Sequence, residues 1–291
     1  MLRKSNYLNR SPKSIIRIGN SGLKCIIPFS KDPNKFAVTL KNGSIGLFDY
    51  SKAKIVFKTE PSHSETIFDM QIRACDHNTM ATCSFDGTVK TWDMTTLKVK
   101  DSLLIFSPNE ECKLGETDIK TVLYSISWSP KDNYIVVANG TALLQIWDID
   151  KDKMLCQYQS PAKTPIYKVD WHPIEREYIL YGNTKGEAII LKVGILSEGL
   201  KVDVYRKFNC NEAVFGVQWN PFNKDCFAAG CQDGNLRVFD ISKKEDDVAS
   251  IFKGHSLKIF NVLWHPHFEN IIATSSDDKT VRVWDTQAVY K

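Results

Sequence analysis

Two sets of polar residues at identical spacings could carry chemistry. An imidazole, a hydroxyl and a carboxylate are the groups that a hydrolase uses as base, nucleophile and orienting acid. An active site is a single constellation, whereas this one is repeated, so the recurrence favours a structural role over a catalytic one. The two sets, each with a tryptophan six residues after the aspartate, are His63, Thr82, Asp86 and Trp92, and His255, Thr274, Asp278 and Trp284.

Other signatures of chemistry are absent from the sequence. It contains no G-x-S-x-G, Walker or H-E-x-x-H motif, so no catalytic residue, metal ligand or cofactor is predicted. The eight cysteines include no C-x-x-C pair and are interpreted as reduced thiols of an intracellular protein, cytoplasmic or nuclear. The polar N-terminal stretch does not resemble a secretory signal, and no apolar run is long enough to span a bilayer.

Both sets lie inside a longer repeat. In five copies the anchor is the aspartate after the aromatic that ends the third apolar stretch, and a degenerate fourth copy has Lys192 at this position. Successive anchors are 44, 55, 44, 48 and 45 residues apart. Each copy has four short apolar stretches separated by turns, with no helical periodicity, which predicts four antiparallel strands repeated radially. The anchors are Asp49, Asp93, Asp148, Lys192, Asp240 and Asp285.

The copies CSFDGTVKTWD (83–93), GCQDGNLRVFD (230–240) and SSDDKTVRVWD (275–285) resemble WD repeats, over roughly residues 20–285. The resemblance implies an all-β β-propeller of four-stranded antiparallel blades with six recognisable repeats. The six repeats fit either a propeller of six blades or a part of a seven-bladed or longer array. We expect an N-terminal segment (1–19) and a WD-repeat propeller (20–291). The apolar run KSIIRIG (13–19) is expected to close the ring as the outer strand of the last blade.

The resemblance also assigns a role to the repeated polar residues. In WD repeats, a histidine before the first strand, a Ser/Thr on the second, an aspartate at the corner and a tryptophan on the third form a hydrogen-bond relay that stabilises one blade. Copies two and six contain all four residues. The other copies have lost members, which predicts blades of unequal stability.

A partner surface is expected on one face of the propeller. By resemblance, the first strand of each blade lines the central channel, and the loop before it opens on the upper face. Aromatic residues recur five positions after the histidine site, and copy one has Cys25 there. They are either partner anchors or packing between blades. The predicted partner-binding residues, including those before the corner aspartates, are Phe68, Phe85, Tyr124, Tyr167, Phe215, Gln232, Phe260 and Asp277.

The net charge and the residue types of the first strands indicate which class of function to expect. The net charge is +4, from 38 basic and 34 acidic residues scattered along the chain, which makes nucleic acid an unlikely partner. The inner strands offer mainly aromatic and aliphatic side chains. The predicted function is a non-enzymatic scaffold for a protein or peptide partner, with no membrane or small-molecule substrate expected. A long, mildly acidic insertion (106–120) is either a lip beside the channel that contributes to recognition or a solvated loop. A nucleic-acid-associated propeller subunit and an enzyme with a channel site are the alternatives.

Overall fold

The fold is built of β-strands throughout the part of the chain that the structure describes. This computed structural model describes residues 3–4, 24–29, 32, 34–104, 122–196, 199–243 and 248–287. Across those ranges no helix is present, and hence none that could cross a membrane. Runs of β-branched and aromatic residues form the strands, and Gly, Asp and Asn at the corners end them.

The strands are grouped in six consecutive sheets, which are the blades of a six-bladed β-propeller, as predicted. A short strand, β1 (Arg3–Lys4), precedes them. Blades one to three are β2 (Ile26–Pro28), β3 (Lys35–Thr39), β4 (Ile45–Asp49) and β5 (Lys54–Lys58); β6 (Ile67–Arg73), β7 (Asp76–Ser84), β8 (Thr88–Asp93) and β9 (Lys98–Leu104); and β10 (Leu123–Trp128), β11 (Tyr134–Asn139), β12 (Leu143–Asp148) and β13 (Lys153–Gln159). Blades four to six are β14 (Val169–Trp171), β15 (Tyr178–Gly182), β16 (Glu187–Leu196) and β17 (Gly199–Asn209); β18 (Val214–Trp219), β19 (Cys226–Cys231), β20 (Asn235–Asp240) and β21 (Val248–Lys253); and β22 (Ile259–Trp264), β23 (Ile271–Ser276) and β24 (Val281–Asp285).

Neighbouring strands within each blade are antiparallel, and the outer strand carries a recurring irregularity. In blades one to five, the register between the third and fourth strands shifts immediately before the anchor aromatic or its replacement. A bulge at this point increases the twist of the outer strand, which discourages other chains from pairing with its free edge.

Consecutive blades pack through apolar faces. We call the side of a blade that packs on the following blade its forward face. Leu236 and Val238 on the forward face of blade five form one buried cluster with Val262 and Trp264 of blade six. Burying a side chain of this size stabilises a fold by about 1.5–3 kcal/mol, so these faces hold the blades in order around the channel.

The N-terminal residues pair with blade five. Arg3 and Lys4 form a parallel bridge with Phe252 and Lys253 of β21. The predicted ring-closing run (13–19) lies outside the described residues, as does the insertion at 106–120. Blade six has three strands among the described residues, so its closure by the N-terminal run and the domain boundary at residue 19 stay predictions.

Candidate functional site

The four relay residues of the second repeat meet inside blade two. His63 Nδ1 lies 3.0 Å from Asp86 Oδ2, and its Nε2 lies 2.8 Å from Thr82 Oγ1. The indole N–H of Trp92 donates to the same hydroxyl over 2.9 Å. Thr88, which the sequence analysis did not single out, donates its hydroxyl to Asp86 Oδ1 over 2.7 Å. The network joins the loop before β6 to β7, to β8 and to the corner between them.

Blade six repeats this geometry. His255 Nδ1 lies 2.7 Å from Asp278 Oδ2, and its Nε2 lies 2.8 Å from Thr274 Oγ1. Trp284 donates to the Thr274 hydroxyl over 2.8 Å, and Thr280 donates to Asp278 Oδ1 over 2.6 Å. In both blades the histidine and threonine are buried and already bonded to each other. Each set therefore has the residue types of a hydrolase triad, but its threonine hydroxyl is buried inside the blade and does not face an open site.

Electrostatics fix the protonation of the relay in blade six. Burial raises the pKa of the Asp278 carboxyl, but hydrogen bonds from Thr280 and His255 outweigh it and hold that pKa well below its usual range. Burial lowers the pKa of His255 more than Asp278 raises it. At neutral pH the pair is therefore a carboxylate that accepts a hydrogen bond from the Nδ1–H of a neutral imidazole, which suits a permanent structural bond.

Removal of the corner aspartate in blade six should destabilise the protein. Asp278→Ala is expected to cost about 1–3 kcal/mol, because it leaves the buried His255 N–H without an acceptor. Lys185→Ala, at the corresponding corner of blade four, is the matched control, since this side chain is exposed and outside any relay. Urea denaturation of both variants measures the difference. Equal losses of stability would contradict the role given to the relay.

Blade five uses a different corner contact. It has Cys210, Ala229 and Phe239 at the other three relay positions, and Phe239 stacks on Phe227 within the blade. Its corner Asp233 instead accepts two hydrogen bonds from the buried Arg237 guanidinium, over 2.9 and 2.6 Å. A bidentate Arg–Asp pair restores a charged link at this corner where the imidazole has been lost.

The predicted aromatic residues form one continuous arc that runs from blade two to blade six. Their ring centroids are separated by 5.4, 4.8, 5.1 and 5.8 Å from one blade to the next. The rings are partly exposed, and the last of them, Phe260, is 41% exposed. We call this set the aromatic arc, and its members in order are Phe68, Tyr124, Tyr167, Phe215 and Phe260.

Residues before the corner aspartates surround the aromatic arc unevenly. Phe85 stacks on Phe68 with centroids 3.9 Å apart and also meets Tyr124 edge-on, so it extends the arc outward. Asp277 is exposed and pairs with Lys258 over 3.3 Å. Gln232 is exposed on blade five. Of these three predicted residues, Phe85 contacts the arc directly and Asp277 is linked to it through Lys258.

Lysines cap both ends of the aromatic arc. Lys24 Nζ lies 4.9 Å from the centre of the Phe68 ring. At the other end, Lys258 Nζ lies 4.7 Å from the Phe260 ring and 5.3 Å from the Phe215 ring. The arrangement is an aromatic surface with a lysine over each end, and the charge of Lys258 is balanced by its ion pair with Asp277.

Below the arc, inner strands of neighbouring blades are linked through side chains. The Ser127 hydroxyl oxygen accepts a hydrogen bond from the backbone N–H of Trp171 over 2.9 Å. A carboxylate oxygen of Asp170 accepts one from the backbone N–H of Trp219, also over 2.9 Å. Gln218 Oε1 accepts the N–H of Trp264 over 2.6 Å. Inner strands have no backbone partner across the blade boundary, so these side chains satisfy amides that would otherwise be unpaired.

The channel wall contains charged groups that the sequence analysis missed. Lys168 Nζ donates to Asp69 Oδ2 over 2.7 Å, and the same oxygen accepts the Ser125 hydroxyl. Burial raises the pKa of the nearby Asp170 to about 7. The inner strands are mainly aromatic and aliphatic, as expected, and blades two and four also contribute these three charged residues. The signal was present as an acid in IFDMQI and a base and an acid in IYKVDW, at alternate positions that face the channel.

Comparison with known families identifies the repeats. The family model WD40, described as "WD domain, G-beta repeat", matches residues 56–93, 203–240 and 247–285. Three segments of this six-bladed β-propeller therefore match the WD40 repeat. The propeller is 27% identical over 226 residues to the GATOR2 complex protein WDR24 of Danio rerio, which covers 73% of this chain and 26% of that protein. It is 27% identical over 142 residues to the ribosome assembly protein rrb1 of Schizosaccharomyces pombe, covering 44% of this chain and 29% of that protein.

One similar protein has an enzyme's name. The propeller is 24% identical over 226 residues to the diphthine methyltransferase homolog of Dictyostelium discoideum, covering 73% of this chain and 59% of that protein. The chain thus spans about a quarter to three fifths of the length of these relatives. Segments such as AVFGVQW also resemble WD repeat-containing protein 17, and the comparisons do not confirm that narrower likeness.

Proposed function

We propose that the propeller is a non-enzymatic scaffold that binds a protein or peptide partner over the aromatic arc on its upper face. The observation that carries the proposal is the continuity of the arc, in which each ring contacts the next across a blade boundary. Aromatic side chains provide large contact areas at low conformational entropy cost, which is why they dominate binding hot spots.

Packing between blades accounts for only part of this arrangement. The rings do contact one another across blades, as the alternative interpretation predicts, but each keeps a partly exposed face. A ring needed only for packing would lie in the apolar clusters between blades, which contain Val217 and Val262 from the same inner strands. The proposal therefore assigns the arc both roles: the buried side holds the blades, and the outer side meets the partner.

An enzyme with a channel site is the second candidate, because charged groups meet there. The geometry favours a structural role for them. Asp69 Oδ2 already accepts bonds from Lys168, from the Ser125 hydroxyl and from the Ile126 N–H. Asp170 accepts a backbone N–H from the next blade. Carboxylates occupied in this way connect inner strands and are not free to act as a general base.

The named relatives support a role in assemblies. Two of them are a complex protein and a ribosome assembly protein by name, and scaffolding in such a complex suits a rigid propeller. The balanced surface charge argues for a protein or peptide partner over nucleic acid, and the cysteines argue for the cytoplasm or nucleus.

Paired substitutions on opposite faces test the proposal. Phe85→Gln with Phe260→Gln should weaken binding of a partner, first recovered with the unaltered protein from native extract, by more than about 2 kcal/mol, roughly 30-fold in Kd. Phe222→Gln with Phe268→Gln is the matched control, because these exposed phenylalanines follow the first strands of blades five and six and so lie on the lower face. Calorimetric titration gives the affinities.

Stability must be measured beside affinity. If the arc only packs blades together, the upper-face variant should melt at a lower temperature and its lost binding should follow the unfolded fraction. A fully folded upper-face variant that binds with unchanged affinity would contradict the proposal, and more so if the lower-face variant were the one that lost binding.

A further inference from the structure

The side chain of His172 links blade four to blade five at the end of an inner strand. His172 directly follows β14, and it is 0% exposed. Its Nδ1 atom accepts hydrogen bonds from the backbone N–H groups of Ile174 and Glu175, each over 3.0 Å. Because Nδ1 is an acceptor, the ring proton lies on Nε2, which donates to the backbone carbonyl of Lys224 over 2.9 Å. Both ring nitrogens are therefore bonded, and only the neutral ring can make these bonds.

Blade five makes the same contacts with a side chain that does not titrate. Asn220 follows β18 as His172 follows β14. Its Oδ1 accepts the backbone N–H groups of Phe222 and Asn223 over 2.8 and 3.0 Å. Its Nδ2 donates to the backbone carbonyl of Glu269 in blade six over 3.2 Å. This position of the repeat thus requires one acceptor for the turn and one donor for the next blade, and an amide or a neutral imidazole supplies both.

The surroundings of His172 disfavour its protonated form. The groups that face the ring from its own turn, from β15 and from blade five are Glu175, Tyr178, Trp219, Lys224 and Asp225. The Trp219 indole packs on the ring with centroids 4.4 Å apart, and Lys224 pairs with both carboxylates over 3.3 and 3.7 Å. Burial lowers the pKa of His172, and this effect outweighs the opposite effects of the Lys224 carbonyl and the two acids.

We propose that His172 is a proton-sensitive link between blades four and five, which opens when Nδ1 takes up a proton in mildly acidic solution. The protonated ring has two N–H donors and no acceptor, so the N–H groups of Ile174 and Glu175 lose their partner and the turn after β14 separates from the ring. In the open form the histidine is protonated below its ordinary pKa of about 6.5, whereas the closed form resists the proton. The link is therefore fully stable above pH 6.5 and weakens as the pH falls below that value.

Hydrogen exchange within the unaltered protein tests this proposal against an internal control. Mass spectrometry compares the turn at 172–177 with the turn at 220–225, at pH 7.5 and at pH 5.5, after correction for intrinsic exchange rates. The ratio of protection in the first turn to that in the second should fall by more than about threefold at pH 5.5. One pH unit below the ordinary histidine pKa favours the open form by up to about tenfold. A smaller fall in the ratio would overturn the proposal.

His172→Asn measures the same link through the stability of the whole protein. The asparagine supplies the acceptor and the donor that Asn220 supplies in blade five, so the variant should fold. From pH 7.5 to 5.5 the melting temperature of the unaltered protein should fall by at least about 2 °C more than that of the variant. A smaller difference would contradict the proposal. The exchange experiment needs no variant, so it decides the question even if His172→Asn does not fold.

Other titrating groups do not affect this comparison. Burial raises the pKa of Asp170 to about 7, which makes stability rise on acidification, opposite in sign to the effect of His172. His265 accepts two backbone N–H groups in blade six, but its ring is half-buried, so water can stabilise its protonated form. Both residues are present in the unaltered protein and in the variant, so the difference in pH dependence reports on His172.

Discussion

Asp69→Ala is expected to lower the free energy of unfolding by about 3–5 kcal/mol, the largest effect of any single substitution considered. Asp69 connects three blades: it lies on β6, accepts the Ser125 hydroxyl and the Ile126 N–H of blade three, and accepts the Lys168 ammonium of blade four. Its loss leaves a largely buried ammonium without its hydrogen-bonded carboxylate and two donors of the next blade without an acceptor. Guanidinium denaturation followed by tryptophan fluorescence measures the loss.

A double substitution tests whether the unpaired Lys168 ammonium causes this loss of stability. Asp69→Leu with Lys168→Met removes both charges and keeps similar volumes, so it should cost clearly less than Asp69→Ala alone. If the single and double variants are equally unstable, the unpaired ammonium is not the cause. If Asp69→Ala costs less than about 1 kcal/mol, the charged channel cluster does not hold the inner strands together.

Gly234→Ala is expected to cost about 2–4 kcal/mol, the second largest effect. Gly234 has φ +74° at the corner of blade five, and an added Cβ would overlap the backbone carbonyl oxygen of His255 at the start of blade six. A glycine is needed there for two reasons. The backbone lies in the left-handed region, and the corner of blade five packs directly on the backbone of the relay histidine of blade six. Thermal unfolding of the variant measures the cost.

Gly194→Ala is the matched control for the corner glycine. Gly194 lies in β16, its φ is not positive, and the nearest atom to an added Cβ is the Lys201 carbonyl oxygen at 3.9 Å. This substitution should change the stability by less than about 1 kcal/mol. A Gly234→Ala protein as stable as Gly194→Ala would contradict the packing of the blade-five corner on His255.

The fold was predictable because each repeat restates the same local pattern. Alternating apolar residues, the corner aspartates and the spacing of the anchors each specify four strands, and six copies of the pattern specify six blades. Relay residues were recognisable for the same reason, since His63 and His255 stand at the same distance from their partners. Blade four, whose anchor is Lys192, was found only through its spacing.

Contacts that depend on neighbouring blades were not predictable in the same way. Asp69 and Lys168 are 99 residues apart, and only the curvature of three blades around one channel brings them together. The arc was visible as five aromatic residues at one repeat position, but whether their rings touch depends on the angle between blades. Val281 and Leu236 are equivalent in sequence, but only Leu236 is buried in the cluster that blade five forms with blade six.

Hydroxyl-radical footprinting of the propeller, alone and bound to its partner, tests the central claim most directly. Oxidation of phenylalanine and tyrosine side chains follows their exposure, and both faces carry reporters. If the partner docks over the aromatic arc, Phe85, Tyr124 and Phe260 should be protected in the complex, while Phe222 and Phe268 on the lower face react as before. Protection of Phe222 and Phe268 with an unchanged arc would contradict the account.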